Sequence, residues 1–488
     1  MSTSHDSLFY GGGWHQPSAG AGVIDVVSPT TEEVIGSVPH PTEQDVDAAV
    51  AAARQAFDDP EGWAQWSVER RAEVMEQLAD ILQSRIEDFA QLVSAQNGMP
   101  ITLSRLAEGW TGPVLLRYYA SMIRERGIEH VRTTDSGASL VRAEPLGVVA
   151  AIVPWNFPMG TAFMKLAPAL AAGCSVVLKP ATETVLDAYL LAQCILESDL
   201  PAGVVNILPA GREIGAYLVG HLGIDKVAFT GSTRGGREIA KRCGELLRPV
   251  SLELGGKSAA VVLDDADLVS LKDEFLYATM ANNGQTCWLN TRILLPRQRF
   301  AELTDTITDI VAAQTVGDPL DDSTEIGPMT SSTHRDRVEG YIKAGLEAGG
   351  RVTTGGGRPK DHASGWFVEP TIFVDVDNSS IVAQEEIFGP VLCLIPYDGV
   401  DDAVGIANDS KYGLGGTVWT ADEEHGVDVA RRIRTGIVGI NSFRGTVAAP
   451  FGGVKESGIG REMGPEGLAN YQSLKSVHPN PNGTWQPS

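Results

Sequence analysis

Three residues with chemically useful side chains stand at loops and strand ends. Cys287, in NNGQTCW, follows a helical segment on a glycine-containing loop, where a thiol is either a nucleophile or a small core residue. Glu253, in SLELGGK, ends an apolar strand, so it is paired, exposed, or a general base whose pKa an apolar pocket raises. Asn156, in PWNFP, either donates to an oxyanion or caps the next helix. No local periodicity brings the three together, so only the fold can do so.

Two further features are candidate anion contacts. The strand KVAFT runs into residues 231–236 (GSTRGG) and then into a helix, so that backbone N–H groups and the Ser232 hydroxyl can meet an anion. A purely structural turn is the alternative. Lys179 ends another strand, where it suits a ribose or phosphate contact or is simply solvated. The turn is not the GxGxxG fingerprint, and neither feature decides the matter alone.

Alternating strands and helices must position these residues. Apolar runs occur at 147–153, 174–178, 203–208, 226–230 and 249–254, and helical segments between them at 158–171, 185–197, 212–220 and 233–244. This pattern predicts right-handed βαβ units in a parallel sheet, which binds ligands beyond the carboxyl ends of its strands. The alternation restarts after residue 257 with SAAVVL, a helix through about 268–281 and TRILL (291–295), which predicts a second α/β domain from about residue 256.

The N-terminal part has a different texture. Residues 1–40 indicate short strands and turns, and a helical pattern begins at Thr42. From about Ser67 the apolar spacing predicts one longer amphipathic helix, which Gly98 and Pro100 end.

Composition narrows the class of protein. The net charge of −24 disfavours nucleic acid and anionic membranes as partners. The five cysteines are scattered without a CxxC, so we expect no disulfide framework, no metal site and a reducing, cytoplasmic location. The start of the chain does not resemble a signal peptide, and the longest uncharged apolar stretch, 166–178, is too short to span a bilayer.

A set of motifs, in this order, resembles the aldehyde dehydrogenase superfamily over nearly the whole chain. The motifs are PWNFP (154–158), LKPA (178–181), FTGST (229–233), LELGGK (252–257), GQTC (284–287), EEIFGP (385–390), YGL (412–414) and APFGGVKESGIGRE (449–462). Each is only moderately specific, whereas the ordered set is highly specific. The resemblance implies an α/β fold: a Rossmann-like dinucleotide-binding domain, an α/β catalytic domain and a β-hairpin oligomerisation arm.

The resemblance also implies roles for the matching residues. It makes Cys287 the nucleophile, Asn156 and the Cys287 backbone N–H the oxyanion donors, and Glu253 the general base for hydrolysis of a thioester. The implied cofactor positions are Ile152, Pro154, Trp155, Lys179, Thr182, Gly211, Phe229, Gly231, Ser232, Gly236, Leu254, Glu386 and Phe388. The implied substrate positions are Phe157, Thr161, Met164, Trp288 and Phe451.

One position departs from the pattern of many NAD-preferring members of the superfamily. Those members carry Glu three residues after the ribose-binding Lys, where its carboxylate repels the 2′-phosphate of NADP. Here the position is Thr182, with Glu183 beside it. The cofactor is therefore expected to be NAD or NADP, with measurable use of NADP.

The implied substrate positions are largely apolar and contain no Arg. They favour an uncharged aliphatic, terpenoid or aromatic aldehyde over a semialdehyde acid. Alternatives are a coenzyme A-acylating enzyme, which Glu253 disfavours, and a non-catalytic structural relative, which the retained Cys287, Glu253 and Asn156 disfavour.

The resemblance also divides the chain. It implies a dinucleotide-binding domain from 1–126 and 146–255, and a catalytic domain over 256–457. Residues 127–145 and 458–488 would form the arm and a C-terminal segment, with a strand at 471–477. Because the hairpin would expose edge strands in a monomer, we expect a homodimer or homotetramer.

Overall fold

The computed structural model describes residues 3–135 and 137–480, so the ends of the predicted N- and C-terminal segments lie outside the described residues. In this part of the chain the strands are β1 (Thr3–Ser4), β2 (Leu8–Tyr10), β3 (Gly13–His15), β4 (Gly22–Val27), β5 (Val34–His40), β6 (Glu129–Thr134), β7 (Gly137–Pro145), β8 (Val148–Ile152), β9 (Ser175–Lys179), β10 (Val205–Ile207), β11 (Lys226–Thr230), β12 (Val250–Glu253), β13 (Ser258–Val262), β14 (Asn290–Pro296), β15 (Arg351–Thr354), β16 (Thr371–Val374), β17 (Val391–Tyr397), β18 (Gly416–Trp419), β19 (Gly439–Ile440), β20 (Gly458–Ile459) and β21 (Gln472–Val477).

The helices of the same residues are α1 (Glu43–Asp58), α2 (Val68–Gln83), α3 (Ile86–Asn97), α4 (Ile101–Ser104), α5 (Thr111–Arg126), α6 (Pro158–Ala172), α7 (Leu186–Glu197), α8 (Arg212–Gly220), α9 (Thr233–Glu245), α10 (Lys272–Met280), α11 (Phe300–Ala312), α12 (Ser332–Glu347), α13 (Ile381–Gln384), α14 (Val400–Asn408), α15 (Glu423–Ala430) and α16 (Gly464–Ala469). A π-helical turn, Arg105–Gly109, joins α4 to α5.

The first large sheet has the strand order β20-β12-β11-β8-β9-β10-β2-β3. Its five central strands, β12 to β10, run parallel. The side chains of β8 alternate between two hydrophobic cores on opposite faces of the sheet. Val149 and Ala151 pack against α2, α5, α6 and α7 on one face. Val148 and Ala150 pack against α1 and α8 on the other. A parallel sheet buried on both faces explains why these strands are continuous apolar runs in the sequence.

The second large sheet has the order β15-β16-β17-β14-β13-β18-β19, and all its pairs are parallel except β15 with β16. Along β13, Ala259 and Val261 face a core with α12, α14 and α15, while Ala260 and Val262 face α10 and α11. The predicted second α/β unit is therefore confirmed as a sheet covered on both faces.

A separate three-stranded antiparallel sheet has the order β21-β7-β6. The hairpin β6–β7 occupies the predicted segment, and β21 pairs along β7 from Gln472↔Pro145 to Val477↔Leu140. The side chain of Leu474 in β21 is exposed. The C-terminal region also returns to the first large sheet, where β20 pairs antiparallel with β12.

The single long helix predicted from Ser67 is wrong. Two helices, α2 and α3, occupy this region, because Arg85 leaves helical geometry with φ −115° and ψ 16°. The Ser84 hydroxyl donates back to the carbonyl of Ile81 (2.7 Å), and the Arg85 guanidinium donates to Glu197 (2.8 Å). Apolar periodicity continues across the break because both helices cover the same core.

Among the described residues, no helix is long and apolar enough to cross a membrane.

Candidate active site

A cavity of about 600 Å³ is lined by residues from loops of both large sheets. It lies beyond the carboxyl ends of β8, β11 and β12 and against the loops that precede β14 and β17. Asn156, Glu253 and Cys287 all line it, although they are far apart in the sequence. The fold therefore brings together the three residues that were singled out for their chemistry.

Cys287 lies on a tightly constrained loop after α10. Asn282 and Asn283 adopt left-handed backbone angles (φ 53° and 60°), and Gly284 follows with φ +77°. A Cβ atom at Gly284 would overlap the carbonyl carbon of Gly389, so only glycine fits there. Of the five cysteines, Cys287 alone is not fully buried and lines the cavity.

The electrostatics around the Cys287 thiol oppose its ionisation. Burial raises the pKa of Cys287 well above its ordinary value, and the carboxylates of Glu386 and Glu253 raise it further. Backbone N–H groups at Cys287 and Trp288 act in the opposite direction and lower this pKa. These N–H groups thus favour a negative charge at the sulfur or beside it.

Asn156 is held by a network of buried amides. Its side-chain nitrogen donates to the carbonyl oxygen of Gln285 (2.8 Å), two residues before the thiol. The backbone carbonyl of Asn156 in turn accepts from the side chains of Asn282 (2.8 Å) and Asn97 (3.2 Å). An amide has two N–H groups, so one remains for a ligand when Gln285 takes the other. The alternative role, capping α6, is not observed.

Glu253 ends β12 with its carboxylate directed into the protein. The residue is 2 % exposed; the backbone N–H of Gly453 lies close enough to the carboxylate to lower its pKa, but no described residue makes a well-formed hydrogen bond to either oxygen. Burial raises the pKa of Glu253 well above its ordinary value, the Glu462 charge raises it further, and Lys165 and Arg461 lower it. A Cβ atom at Gly452 would overlap Glu253 Oε1, so glycine provides room for this carboxylate. Two unsatisfied acceptors beside a cavity suit a bound water molecule.

A buried ion pair adjoins Glu253, and the sequence reasoning did not find it. Lys165 Nζ, in α6, contacts both Glu462 Oε1 and Thr230 Oγ1 at 2.5 Å, and the Lys165 side chain is fully buried. Glu462 lines the cavity. A lysine within an otherwise apolar helical segment was the available signal, because a buried ammonium needs a partner.

The predicted cofactor residues form two groups. One group lines the cavity itself: Pro154, Trp155, Gly231, Ser232, Leu254, Glu386 and Phe388. The other group lies outside it, at or near the carboxyl ends of β8, β9 and β11 and of neighbouring segments: Ile152, Lys179, Thr182, Gly211, Phe229 and Gly236. Together they extend from the thiol across the carboxyl edge of the first sheet.

The glycine-rich turn fits a phosphate group. Ser232 caps α9, and its oxygen accepts from the backbone N–H of Gly235 (3.2 Å), which leaves the hydroxyl proton free to donate. Cβ atoms at Gly231 and Gly236 would lie 2.5 Å and 2.6 Å from the side chains of Phe229 and Leu254. Glycine at these two positions therefore leaves room for the Phe229 and Leu254 side chains, while the backbone N–H groups at the positive end of this helix suit an anion. These residues fit a dinucleotide cofactor.

The residues predicted to contact the adenosine end of the cofactor already have hydrogen-bond partners within the protein. Lys179 Nζ donates to the carbonyls of Pro180 (2.8 Å) and Ala210 (2.6 Å), and burial lowers the pKa of Lys179 to about 8. The Thr182 hydroxyl donates to Glu183 (3.1 Å), and the Gly211 N–H donates to the His40 ring (3.2 Å). A carboxylate therefore lies beside Thr182 even though that position itself carries none.

The side of the cavity away from the cofactor positions is an apolar tunnel. All five predicted substrate residues, Phe157, Thr161, Met164, Trp288 and Phe451, line it. The Trp288 ring stacks on Phe443 (centroids 4.6 Å apart, planes at 9°) and tilts against Tyr277 (5.3 Å). The Thr161 hydroxyl donates to the Phe157 carbonyl (2.7 Å), so helix α6 already satisfies that donor.

The opposite wall of the tunnel was missed. It comes from the π-helical turn and its neighbours: Leu103, Leu106, Ala107, Trp110, Thr111 and Val114. Leu106, Trp110 and Val114 are exposed and spaced by four residues, and that apolar stripe on a helical face was the readable signal.

Comparison with known proteins adds the decisive observation. The sequence profile of the aldehyde dehydrogenase family matches residues 14–477. The chain belongs to the aldehyde dehydrogenase family. It is an NAD(P)-dependent oxidoreductase that acts on the aldehyde group.

Relatives of this aldehyde dehydrogenase include a geranial dehydrogenase from Castellaniella defragrans, 51% identical over 98% of this chain and 99% of the relative. The aldehyde dehydrogenase of Mycobacterium tuberculosis, solved with NAD⁺, has a TM-score of 0.97 and 46% identity, covering 99% of this chain and 100% of that one. Aldehyde dehydrogenase C of Pseudomonas syringae, solved as a mutant with NAD⁺ and octanal, has a TM-score of 0.93 and 38% identity, covering 97% and 96%.

Proposed function

We propose that this aldehyde dehydrogenase oxidises uncharged, apolar aldehydes of the aliphatic, terpenoid or aromatic kind. The observation that carries this proposal is the apolar tunnel that leads to Cys287. Among the described residues, Arg337 is the one Lys or Arg that lines the cavity, and its guanidinium donates to the carbonyl of Glu386 (2.6 Å). Arg337 thus lies beside the predicted cofactor residue Glu386, and none of the five predicted substrate residues in the tunnel is a cation that could pair with a substrate carboxylate.

Arg444, which contacts the tunnel residue Tyr277, is already paired. Arg444 Nε donates to both oxygens of Glu274 (2.8 and 3.0 Å), and its guanidinium lies 4.5 Å from the centre of the Tyr277 ring. Its charge is thus compensated before any substrate arrives. The geranial dehydrogenase and the octanal complex among the relatives also support an apolar aldehyde.

In the proposed mechanism, the Cys287 thiol gives its proton to the Glu253 carboxylate, which passes it to solvent, and the sulfur adds to the aldehyde carbon and forms a C–S bond. The carbonyl oxygen becomes an oxyanion, which the Asn156 side chain and the Cys287 backbone N–H stabilise. When the carbonyl re-forms, the carbon loses its hydrogen as hydride, for which a bound oxidised nicotinamide supplies the acceptor. The product is a thioester of Cys287.

Glu253 then serves as the general base. Its carboxylate takes a proton from water, the water oxygen attacks the thioester carbon, and the C–S bond breaks to release the carboxylic acid and the Cys287 thiolate. Neither oxygen of Glu253 makes a well-formed hydrogen bond with a described residue, which supports a water molecule at this position. The raised pKa of Glu253 makes it a stronger base once it is deprotonated.

A substrate panel tests this proposal. We expect high kcat/KM for geranial, octanal and benzaldehyde, low kcat/KM for succinic semialdehyde, and no NADH production by the Cys287→Ser variant. Strong preference for succinic semialdehyde would overturn the assignment of substrate class. Activity that depends on coenzyme A would overturn hydrolysis as the final step.

We also propose that the enzyme uses NADP alongside NAD, because Thr182 places no carboxylate at the position that repels a 2′-phosphate. Glu183, hydrogen-bonded to Thr182, is the remaining negative charge nearby. Thr182→Glu should lower kcat/KM for NADP selectively, and Glu183→Gln should raise it. A wild-type kcat/KM for NADP more than a thousandfold below that for NAD would contradict the proposal.

Finally, we propose the domain boundaries given above and a homodimer or homotetramer formed through the β6–β7–β21 sheet. The exposed Leu474 of β21 supports an interface there. Light scattering should give a smaller molar mass for the Leu474→Asp variant than for wild type. The control is Leu247→Asp, which changes an exposed leucine in the loop between α9 and β12 and should leave the molar mass unchanged. An unchanged mass for Leu474→Asp would argue against this interface.

A further inference from the structure

Three aromatic rings form a cluster at the cofactor side of the cavity. The centroid of the His334 ring lies 5.1 Å from that of Trp155 and 5.9 Å from that of Phe388, and the Trp155 and Phe388 centroids are 5.5 Å apart. All three pairs meet edge to face. His334 lies in the first turn of α12 and belongs to none of the sequence motifs, yet its ring contacts the rings of two proposed cofactor residues.

His334 makes one short hydrogen bond in this cluster. Its Nε2 lies 2.6 Å from the carbonyl oxygen of Phe388. A carbonyl oxygen only accepts, so Nε2 carries the proton and donates. Burial lowers the pKa of His334 to about 4, and the ring is therefore neutral with Nδ1 unprotonated at neutral pH.

The residue that receives this bond has a strained backbone. Phe388 has φ +66°, in the left-handed region that a bulky side chain rarely adopts. The neighbouring Gly389 packs against α12, since a Cβ atom there would lie 2.7 Å from Val338. Arg337, one turn after His334, donates to the carbonyl of Glu386 (2.6 Å). The start of α12 thus holds the loop at two carbonyls.

Helix α12 is itself fixed at its beginning. The Ser331 hydroxyl accepts from the backbone N–H of His334 (3.1 Å). The backbone N–H of Thr330 donates to the side chain of Gln285 (2.9 Å), on the loop that carries Cys287. The same helix start therefore contacts both the loop with the nucleophile and the loop with Glu386 and Phe388.

We infer that His334 is a positioning residue, which holds the Phe388 backbone in its left-handed conformation so that the Phe388 and Trp155 rings enclose the nicotinamide end of the cofactor. This inference rests on the proposed function of those two residues. Loss of the Nε2 donor lets the strained loop relax, and the Phe388 ring leaves its place. The effect falls on cofactor binding and hydride transfer, whereas the aldehyde tunnel, formed by other elements, keeps its shape.

Two amide substitutions at His334 distinguish the loss of its hydrogen bond to Phe388 from the loss of its ring. In His334→Gln the amide nitrogen takes the place of Nε2 along the side chain, so the bond to the Phe388 carbonyl can form. In His334→Asn the amide nitrogen takes the place of Nδ1 and cannot reach that carbonyl. We expect His334→Asn to raise KM for NAD about tenfold and to slow the single-turnover appearance of NADH, with KM for octanal unchanged. His334→Gln should stay within about threefold of wild type in all three.

The controls distinguish this inference from the proposed function. Thermal unfolding and circular dichroism establish that both variants are folded. Equal KM for NAD in wild type and His334→Asn would overturn the positioning role, as would equal losses in the two variants or a parallel rise of both KM values. If wild type itself produced no NADH from any aldehyde, the proposed function would fail, independently of His334.

Discussion

Replacing Glu462 by Gln should shift the pH dependence of thioester hydrolysis to lower pH. The Glu462 charge raises the pKa of Glu253, and Lys165 lowers it. The variant removes the negative charge and frees the Lys165 ammonium, which contacts Glu462 at 2.5 Å, from its anionic partner. Both changes favour ionised Glu253. Because Glu253 must be ionised to act as a base, hydrolysis then reaches its maximum rate at lower pH.

The size of the effect follows from Coulomb's law. Partly buried charges a few ångströms apart interact by roughly 1–4 kcal/mol, and about 1.4 kcal/mol changes an ionisation equilibrium tenfold. Below the wild-type midpoint we therefore expect the Glu462→Gln variant to hydrolyse the thioester at least about tenfold faster than wild type. Glutamine keeps a hydrogen-bond acceptor for Lys165, which limits the loss of stability that follows when a buried ion pair loses one partner.

The assay follows the decay of acylated Cys287 by quenched-flow mass spectrometry between pH 5 and pH 9. The control is Glu456→Gln. The Glu456 carboxylate lies in the same C-terminal segment as Glu462, but it pairs with Arg237 at the surface. We expect its midpoint to equal that of wild type. A midpoint for Glu462→Gln that is unchanged or higher, in a variant shown to be folded, would refute the electrostatic reasoning about Glu253.

Three further predictions concern the same site. Asn156→Ala removes one proposed oxyanion donor and should lower kcat about 10²–10³-fold with little change in KM for the aldehyde; a smaller loss than tenfold in steady-state assays would contradict that role. Glu253→Gln should retain a burst of NADH equal to the enzyme concentration, while steady-state turnover falls by a factor of about 10² or more and the acyl-enzyme accumulates in mass spectra; unchanged turnover would exclude it as the base. Gly284→Ala should lower the melting temperature and abolish activity, because its Cβ overlaps Gly389, whereas Gly244→Ala in α9, with nothing within 4 Å, should be neutral or stabilising; equal melting temperatures would show that the loop adjusts.

The sequence predicted those parts of the fold that depend on local pattern. The strands β8, β9 and β11 are fully or largely buried on both faces of the sheet. Because both faces are buried, nearly every residue of these strands is apolar, and this pattern could be recognised in the sequence. The break between α2 and α3 escaped prediction because Ser84 and Arg85 interrupt hydrogen bonding without interrupting the apolar face.

The site was only partly predictable, for a physical reason. For Cys287, Glu253 and Asn156 the sequence allowed a structural role as well as a catalytic one. Their proximity in the cavity depends on the packing of segments that are distant in the sequence. Lys165 escaped because its partners Thr230 and Glu462 lie on other elements, and no periodicity encodes such contacts. The positioning role of His334 could not be predicted from the sequence, because it depends on the neighbouring Phe388 and on the left-handed backbone of that residue, which only the structure shows.

The contact between Gly284 and Gly389 has a thermodynamic consequence. It joins the loop of the nucleophile to the loop that carries Glu386 and Phe388, with backbone against backbone and no side chain to absorb movement. Two sites joined in this way are linked, and linkage between equilibria is reciprocal. Suppose that reversible addition of an aldehyde to Cys287 changes the affinity for the dinucleotide by some factor. Binding of the dinucleotide must then change the equilibrium constant of that addition by the same factor. The order in which the two ligands bind is then a matter of rates, since the coupling free energy is the same by either route.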